Sequence, residues 1–414
     1  MLSAFALSAC SDDSGNTTTS GTATTSPSTV GITATATSAT SAGPTGTGGM
    51  GTTGTDTTGM GTTSATVGTE SSSSSQSSTG GTTGSTTTTG TSTTGDGGTG
   101  GGAPANLSET GLFTERAADG SLTLAEGVRE FQPKYALWSD GALKQRYVYL
   151  PPGTQIDTTD ADHWKFPVGT KLWKSFSVGE QLVETRLIER TGETETDWRF
   201  ATYLWETAES TDAIKMDYKE QWLNASGTTH DIPAGSMCER CHNGLEERAL
   251  GFSALQLNHD LGGLNLATLE SEGLLTEDIP LDIGMPGDDE TTQNALGYLH
   301  ANCGNCHNDR PGVPVESVPE PRMLLRVLVG DETPEQTGTY QTAVNVMNTA
   351  SAELPVDYRL HGGEPGEVDY ASAILYRMDQ RGIEDQMPPI GTTERDQEGI
   401  DLIYSWALTL PAPP

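Results

Sequence analysis

Hydrophobic and polar positions change period along the chain. Over 131–224, short apolar and aromatic runs alternate with turn signals. Arg146-Tyr147-Val148-Tyr149-Leu150 stops at Pro151-Pro152-Gly153, Trp164-Lys165-Phe166-Pro167 and 171–176 follow, and 182–190 and 198–205 alternate with a period near two. This pattern predicts half-buried antiparallel strands at sandwich-like intervals. From Thr292 the spacing becomes helical: Ala295, Leu296, Tyr298 and Leu299 lead into Cys303, and Ile400, Ile403, Trp406 and Leu408 form an apolar stripe on a terminal helix that Pro411 stops. Residues 11–105 have no apolar period. They are almost entirely Ser, Thr and Gly, too poor in apolar surface to offset chain entropy, and predict a disordered tether. The predicted architecture is multidomain: the tether, a mainly β, sandwich-like domain over 106–229, a short segment over 230–290, and a mainly α region over 291–414.

Charge sharpens this division. The 414 residues carry 22 Lys+Arg against 56 Asp+Glu, a net charge of −34. Such a surface repels phosphate backbones and excludes a general nucleic-acid binder. The tether holds only Asp12, Asp13, Asp56, Glu70 and Asp96, so the remainder has 51 acids against 22 bases, or −29. Ahead of the tether, Met1 to Ala9 are apolar or small, and Leu7-Ser8-Ala9-Cys10 resembles a bacterial lipobox, with Cys10 as the lipidated residue. The basic n-region of a signal peptide is missing, which predicts a true start further upstream. No stretch approaches the ~20 apolar residues that span a bilayer. The expected location is the cell envelope, lipid-anchored at the outer membrane, on its periplasmic side or at the cell surface.

Cysteine spacing carries the chemistry. After Cys10, the other four of the five cysteines form two matching motifs, Cys238-Glu239-Arg240-Cys241-His242 and Cys303-Gly304-Asn305-Cys306-His307. C-x-x-C-H is the attachment signature of c-type haem: two thiols on one turn reach the two vinyl groups of one porphyrin, and the adjacent imidazole takes the iron. The competing readings are an all-cysteine zinc ribbon, disulfides and a redox dithiol. A ribbon places its pairs about 15–20 residues apart, and these pairs lie much farther apart. Disulfides and redox dithiols leave both histidines unexplained. Two haems c are expected, with His242 and His307 as proximal iron ligands.

Around the second motif the order of helix, CxxCH, loop, Met387-Pro388-Pro389 and helix resembles class I cytochrome c domains, with Gly363-Glu364-Pro365-Gly366 leading into Ser372, Leu375, Tyr376, Arg377 and Met378. The resemblance spans roughly 291–410 and implies Met387 as distal ligand. A thioether favours ferrous iron and raises the potential, and a six-coordinate iron has no open position for substrate. Met378 and Met323 are the alternative ligands, though Met378 lies within an amphipathic helix and reads first as packing. The first motif lacks such a frame. Its distal ligand is His259, His230, Met237 or Met285, His259 being the first choice, or it is absent.

A wider resemblance covers nearly all of 106–410. The segment Phe131-x-Pro133-x-Tyr135-x-Leu137-Trp138-Ser139-Asp140-Gly141-Ala142-x-Lys144-x-Arg146, followed by a CxxCH with Leu250-Gly251-Phe252 and Gln256-Leu257-Asn258, is similar to an exported bacterial family that ends in a cytochrome domain. That resemblance implies a redox partner, a quinoprotein dehydrogenase with a basic docking face being the named candidate. The predicted function is electron transfer by a lipid-anchored dihaem cytochrome rather than catalysis. The alternatives are a dihaem peroxidase-like oxidoreductase with an open iron at His242, and a carbohydrate-binding β module carrying cytochromes. Trp138-Ser139-Asp140-Gly141 reads first as a turn and second as a catalytic cluster.

Overall fold

A computed structural model describes residues 102–309, 322–349, 354, 356–366, 368 and 371–414. Cys10 and the tether up to residue 101 lie outside the described residues. The last tether residues, 102–105, are packed rather than free: Ala103 is 6% exposed in the β core, and Lys215 Nζ donates to its carbonyl at 2.9 Å. Among the described residues, no helix is long and apolar enough to cross a membrane.

The chain runs from a β-rich region into a helical one. β1 (Phe113–Arg116) and β2 (Leu122–Leu124) form a hairpin. β3 (Val128–Phe131), β4 (Leu143–Tyr149), β5 (Lys171–Val178), β6 (Gln181–Arg190), β7 (Trp198–Leu204) and β8 (Ile214–Lys215) then form one antiparallel sheet in chain order. The expected sandwich of comparable sheets is therefore corrected to one six-stranded sheet with the small β1–β2 sheet packed on one of its faces. Other parts of the chain cover the rest of both faces. Tyr147, Trp173, Leu187, Ala201 and Tyr203 pack under Leu107, Leu112 and Phe113 on one side. Phe131, Val148, Leu172, Ile188 and Phe200 pack under Phe252, Leu257, Leu266 and Leu269 on the other. Burial on both faces is why β6 reads as a nearly continuous buried run, not a clean alternation. The run at 164–167 is no strand. It makes one bridge, Asp157 with Lys165, and Trp164 and Phe166 turn into the core.

Helices follow: α1 (Gly235–His242), α2 (Ala254–Leu257), α3 (Leu266–Ser271), α4 (Glu290–Asn302), α5 (Gly338–Thr342), α6 (Ala373–Asp379) and α7 (Gln397–Ala407). Asp289 caps α4 by accepting from Thr292 N at 2.9 Å, and Asp396 caps α7 by accepting from Gly399 N at 2.9 Å. The stripe Leu296, Leu299, Ile403 and Trp406 forms the core between α4 and α7, joined by Leu375 and Met378 from α6. Met378 is thus a packing residue. Trp164, Trp173, Trp198 and Trp205 are buried, whereas Trp222 is 41% exposed and Trp138 half-buried.

Candidate functional site

The two C-x-x-C-H motifs, far apart in sequence, meet in space. Cys238, Cys241 and His242 ride on α1, while Cys303 to His307 form the turn that leaves α4. Cys306 Sγ donates to the Arg240 carbonyl at 3.8 Å, and Cys306 also hydrogen-bonds the Cys241 thiol. Asn308 Nδ2 donates to Gly244 O at 3.2 Å, to Asn305 O at 3.1 Å and to Gly304 O at 3.0 Å, joining the two turns from one side chain. Position 244 must be glycine for this approach, since a Cβ there would collide with the Asn305 carbonyl.

Each histidine is oriented by the backbone. His242 Nδ1 donates to Arg248 O at 2.5 Å, which leaves Nε2 unprotonated as a ligand, and a ring nitrogen of His307 bonds the Met323 backbone. Burial, with Lys174 adding to it, pulls His242 down to about 3, and burial also lowers His307. Both rings are neutral at pH 7, the form that binds metal. Burial pushes the Cys303 thiol up to about 12 and raises Cys238 as well, while the hydrogen bond with the Cys241 thiol lowers Cys306. Among the described residues, no three His, Cys, Asp or Glu side chains converge to hold a bare metal ion.

Met387 is tied to α6 by its backbone. Its N–H donates to Arg377 O at 2.9 Å, and the Arg377 charge bears on His307. The loop beyond it is fixed from the β region. Asp140, at φ 52°, accepts from Thr393 N at 2.9 Å, Thr393 Oγ1 at 3.0 Å and Glu394 N at 3.0 Å. Trp138 Nε1 donates to Glu394 O at 3.1 Å, and Trp138 N donates to Asn302 Oδ1 at 2.7 Å. Upstream, the Tyr135 ring lies against Gly297 of α4 so closely that any Cβ there would clash. The Trp-Ser-Asp-Gly segment is thus a turn, as first read, and it also clasps the Met387 loop.

At the first motif three of the four candidate ligands, His259, His230 and Met285, are engaged elsewhere. His259 Nε2 bonds Gln132 O at 2.7 Å and its Nδ1 accepts from Leu261 N at 3.1 Å, leaving neither nitrogen for iron. This corrects His259 as distal ligand. His230 bonds Glu184, and Met285 is buried in the α4–α7 core. The residue that sequence reasoning missed is Met216. It follows β8 and lines, with Cys238, His242, Phe200 and Arg186, a cavity of about 500 Å³ that is partly open to solvent. Nothing in its local sequence marks it, because only sheet pairing brings it there. Compared with protein-family models, with curated proteins and with solved structures, the chain matches none.

Beside this cavity sits a buried ion cluster. Glu184 accepts from Arg186 Nη2 at 2.5 Å and Nε at 2.8 Å, and it bonds His230 Nε2 at 2.7 Å. Burial alone would raise the Glu184 carboxyl, but Arg186 and His230 outweigh it and hold it low. A lowered folded value means stability that is complete above the unfolded carboxylate range and lost as pH falls through the folded value. Glu184→Gln is therefore expected to cost about 3–5 kcal/mol at pH 7 by leaving Arg186 unpaired. Denaturant unfolding of both proteins should show the gap narrowing below about pH 4.

Proposed function

We propose that the protein is a dihaem c-type cytochrome that carries electrons in the cell envelope. The observation behind this reading is the repeated arrangement of two thiols and a neutral imidazole held by a backbone carbonyl, once in each C-x-x-C-H turn. The residues present fit such a group: the His242 Nε2 is free, and a cavity partly open to solvent, lined by Cys238, Leu187, Ile188, Phe200 and Met216 among others, adjoins it. Cys238 with Cys241 and Cys303 with Cys306 would hold two haems c by thioether bonds, His242 and His307 as proximal ligands. Met387 is the distal ligand assigned to the second site, within a class I-like cytochrome domain, and Met216 is the thioether available to the first. Haem, when bound, supplies one-electron chemistry at iron.

The protein's own residues do the rest. Arg248 O fixes the His242 ring, and α6 with Asp140 fixes the Met387 loop. Contact between the motifs keeps the two sites within short reach of each other. The net charge of −34 attracts a basic docking face, as on the proposed quinoprotein dehydrogenase partner. Anchorage through lipid at Cys10 completes the proposal.

One observation favours a second reading, a haem-dependent oxidoreductase open at His242: Arg186, clamped by Glu184, lines that cavity. The deciding experiment is the pyridine haemochrome of the full chain matured in a periplasm, followed by carbon monoxide on the reduced protein. Two haems per chain with no carbon monoxide binding are expected. One haem-bound carbon monoxide per chain favours the second reading. No haem, with Cys241 cross-linked to Cys306 by mass spectrometry, overturns both.

A further inference from the structure

Arg146, Lys174 and Arg186 stand directly opposite one another on β4, β5 and β6, in register on the sheet face that looks toward the motifs. Like charges on adjacent strands repel, because such neighbours are only about 5 Å apart at Cβ. Arg186 has its counter-ion in Glu184. Arg146, only 6% exposed, has no hydrogen-bond or ion-pair partner among the described residues, and neither has Lys174. Both line a second cavity of about 500 Å³, partly open to solvent, that includes Leu245, three residues past the first motif, and Gly304 and Asn305 of the second.

The other polar groups of this cavity also donate. Arg326, 7% exposed, bonds Glu247 through Nη2 at 3.0 Å, while its buried Nη1 has no partner. His300 Nδ1 accepts from Val327 N at 3.2 Å, which puts the proton of the neutral ring on Nε2. Glu247 is the cavity's only carboxylate, and both its oxygens are engaged, one by Arg326 and one by His163 at 3.4 Å. It cannot neutralise Arg146 or Lys174. Burial, with Arg146 and Arg186 adding to it, brings Lys174 down to about 7, and burial brings Arg146 to about 10. A chain with a large acid excess has thus placed Arg146, buried, and Lys174, half-buried, where no free carboxylate meets them.

We propose that this cavity binds a carboxylate or similar oxyanion, held by Arg146, Lys174 and Arg326. A planar carboxylate suits the guanidinium fork of Arg146, and Lys174 adds a point charge. Such a ligand has two sources, a haem propionate or a free small anion, and the first rests on the dihaem reading.

The test uses the full matured chain, with Lys174→Gln and Arg146→Gln singly and together, and with Lys174→Arg as the charge-keeping variant. Acetate and inorganic phosphate are titrated by calorimetry, and melting temperature, midpoint potential and pyridine haemochrome are measured in parallel. Saturable binding of either probe, weakened roughly tenfold or more by Lys174→Gln and kept by Lys174→Arg, supports a free anion. If no probe binds, a lower potential and lower melting temperature in the glutamine variants, both restored in Lys174→Arg, support a propionate. If no probe binds and the glutamine variants melt higher at unchanged potential, as relief of bare repulsion predicts, the proposal is overturned. The haem count reads separately: probe binding by a haem-free chain keeps the anion site and removes the dihaem function.

Discussion

Changing Cys303 and Cys306 together to serine is expected to leave one covalent haem per chain where the proposed dihaem cytochrome would carry two. Serine cannot form the thioether, and His307 alone is too weak a tether to survive denaturing gel electrophoresis with haem attached. The converse pair, Cys238→Ser with Cys241→Ser, should leave the other haem. Since Asn308 joins the two turns by donating to Gly244 O, Gly304 O and Asn305 O, each remaining haem should also show a displaced Soret band. The measurement is pyridine haemochrome against protein mass, and two haems in either double variant would sink the assignment.

Met387→Ala should keep both haems and change the second one's electronics. Loss of a soft thioether removes its preference for ferrous iron, so the potential should fall by roughly a hundred millivolts or more, within the ~0.8 V that axial ligation commands. The iron then opens, and carbon monoxide should bind the reduced variant where it does not bind the parent. Asp140→Ala makes an informative companion, because it removes the three bonds that hold Thr393 and Glu394 without touching Met387. It should shift the potential in the same direction by less and admit carbon monoxide slowly. Equal spectra and potentials in parent and Met387→Ala would assign the ligand elsewhere.

Sequence and structure agree where the signal is local. The helix before Cys303 and the one ending near Pro411 follow from the spacing of Leu296, Leu299, Ile403 and Trp406, and their caps, Asp289 and Asp396, are ordinary N-cap residues. Strands β4 to β7 fall on the predicted runs to within a few residues. What was illegible depends on long-range placement. A single sheet covered on both faces has the same strand pattern as a sandwich, so the layer count could not be read. Met216 and the cation row are brought to the motifs only by pairing of β4 to β8. His259 looked available because its bonds to Gln132 and Leu261 have no sequence signature. The motifs were plain in sequence, but their contact was not, since nothing in a C-x-x-C-H turn says that Gly244 will lie against Asn305.

The clasp of Asp140 on Thr393 and Glu394 has a kinetic consequence. It closes a loop of more than 250 residues, and contacts of such sequence separation form late because their loop entropy must be met first. During synthesis from the N-terminus onward, the sheet and the first C-x-x-C-H turn can assemble before the 393–394 segment has emerged. The Met387 loop is then the last part of the molecule to be fixed. A chain shortened before α7 should consequently keep its sheet while leaving that loop unlatched, which makes the order of synthesis itself a guard against closing the second site before it is complete.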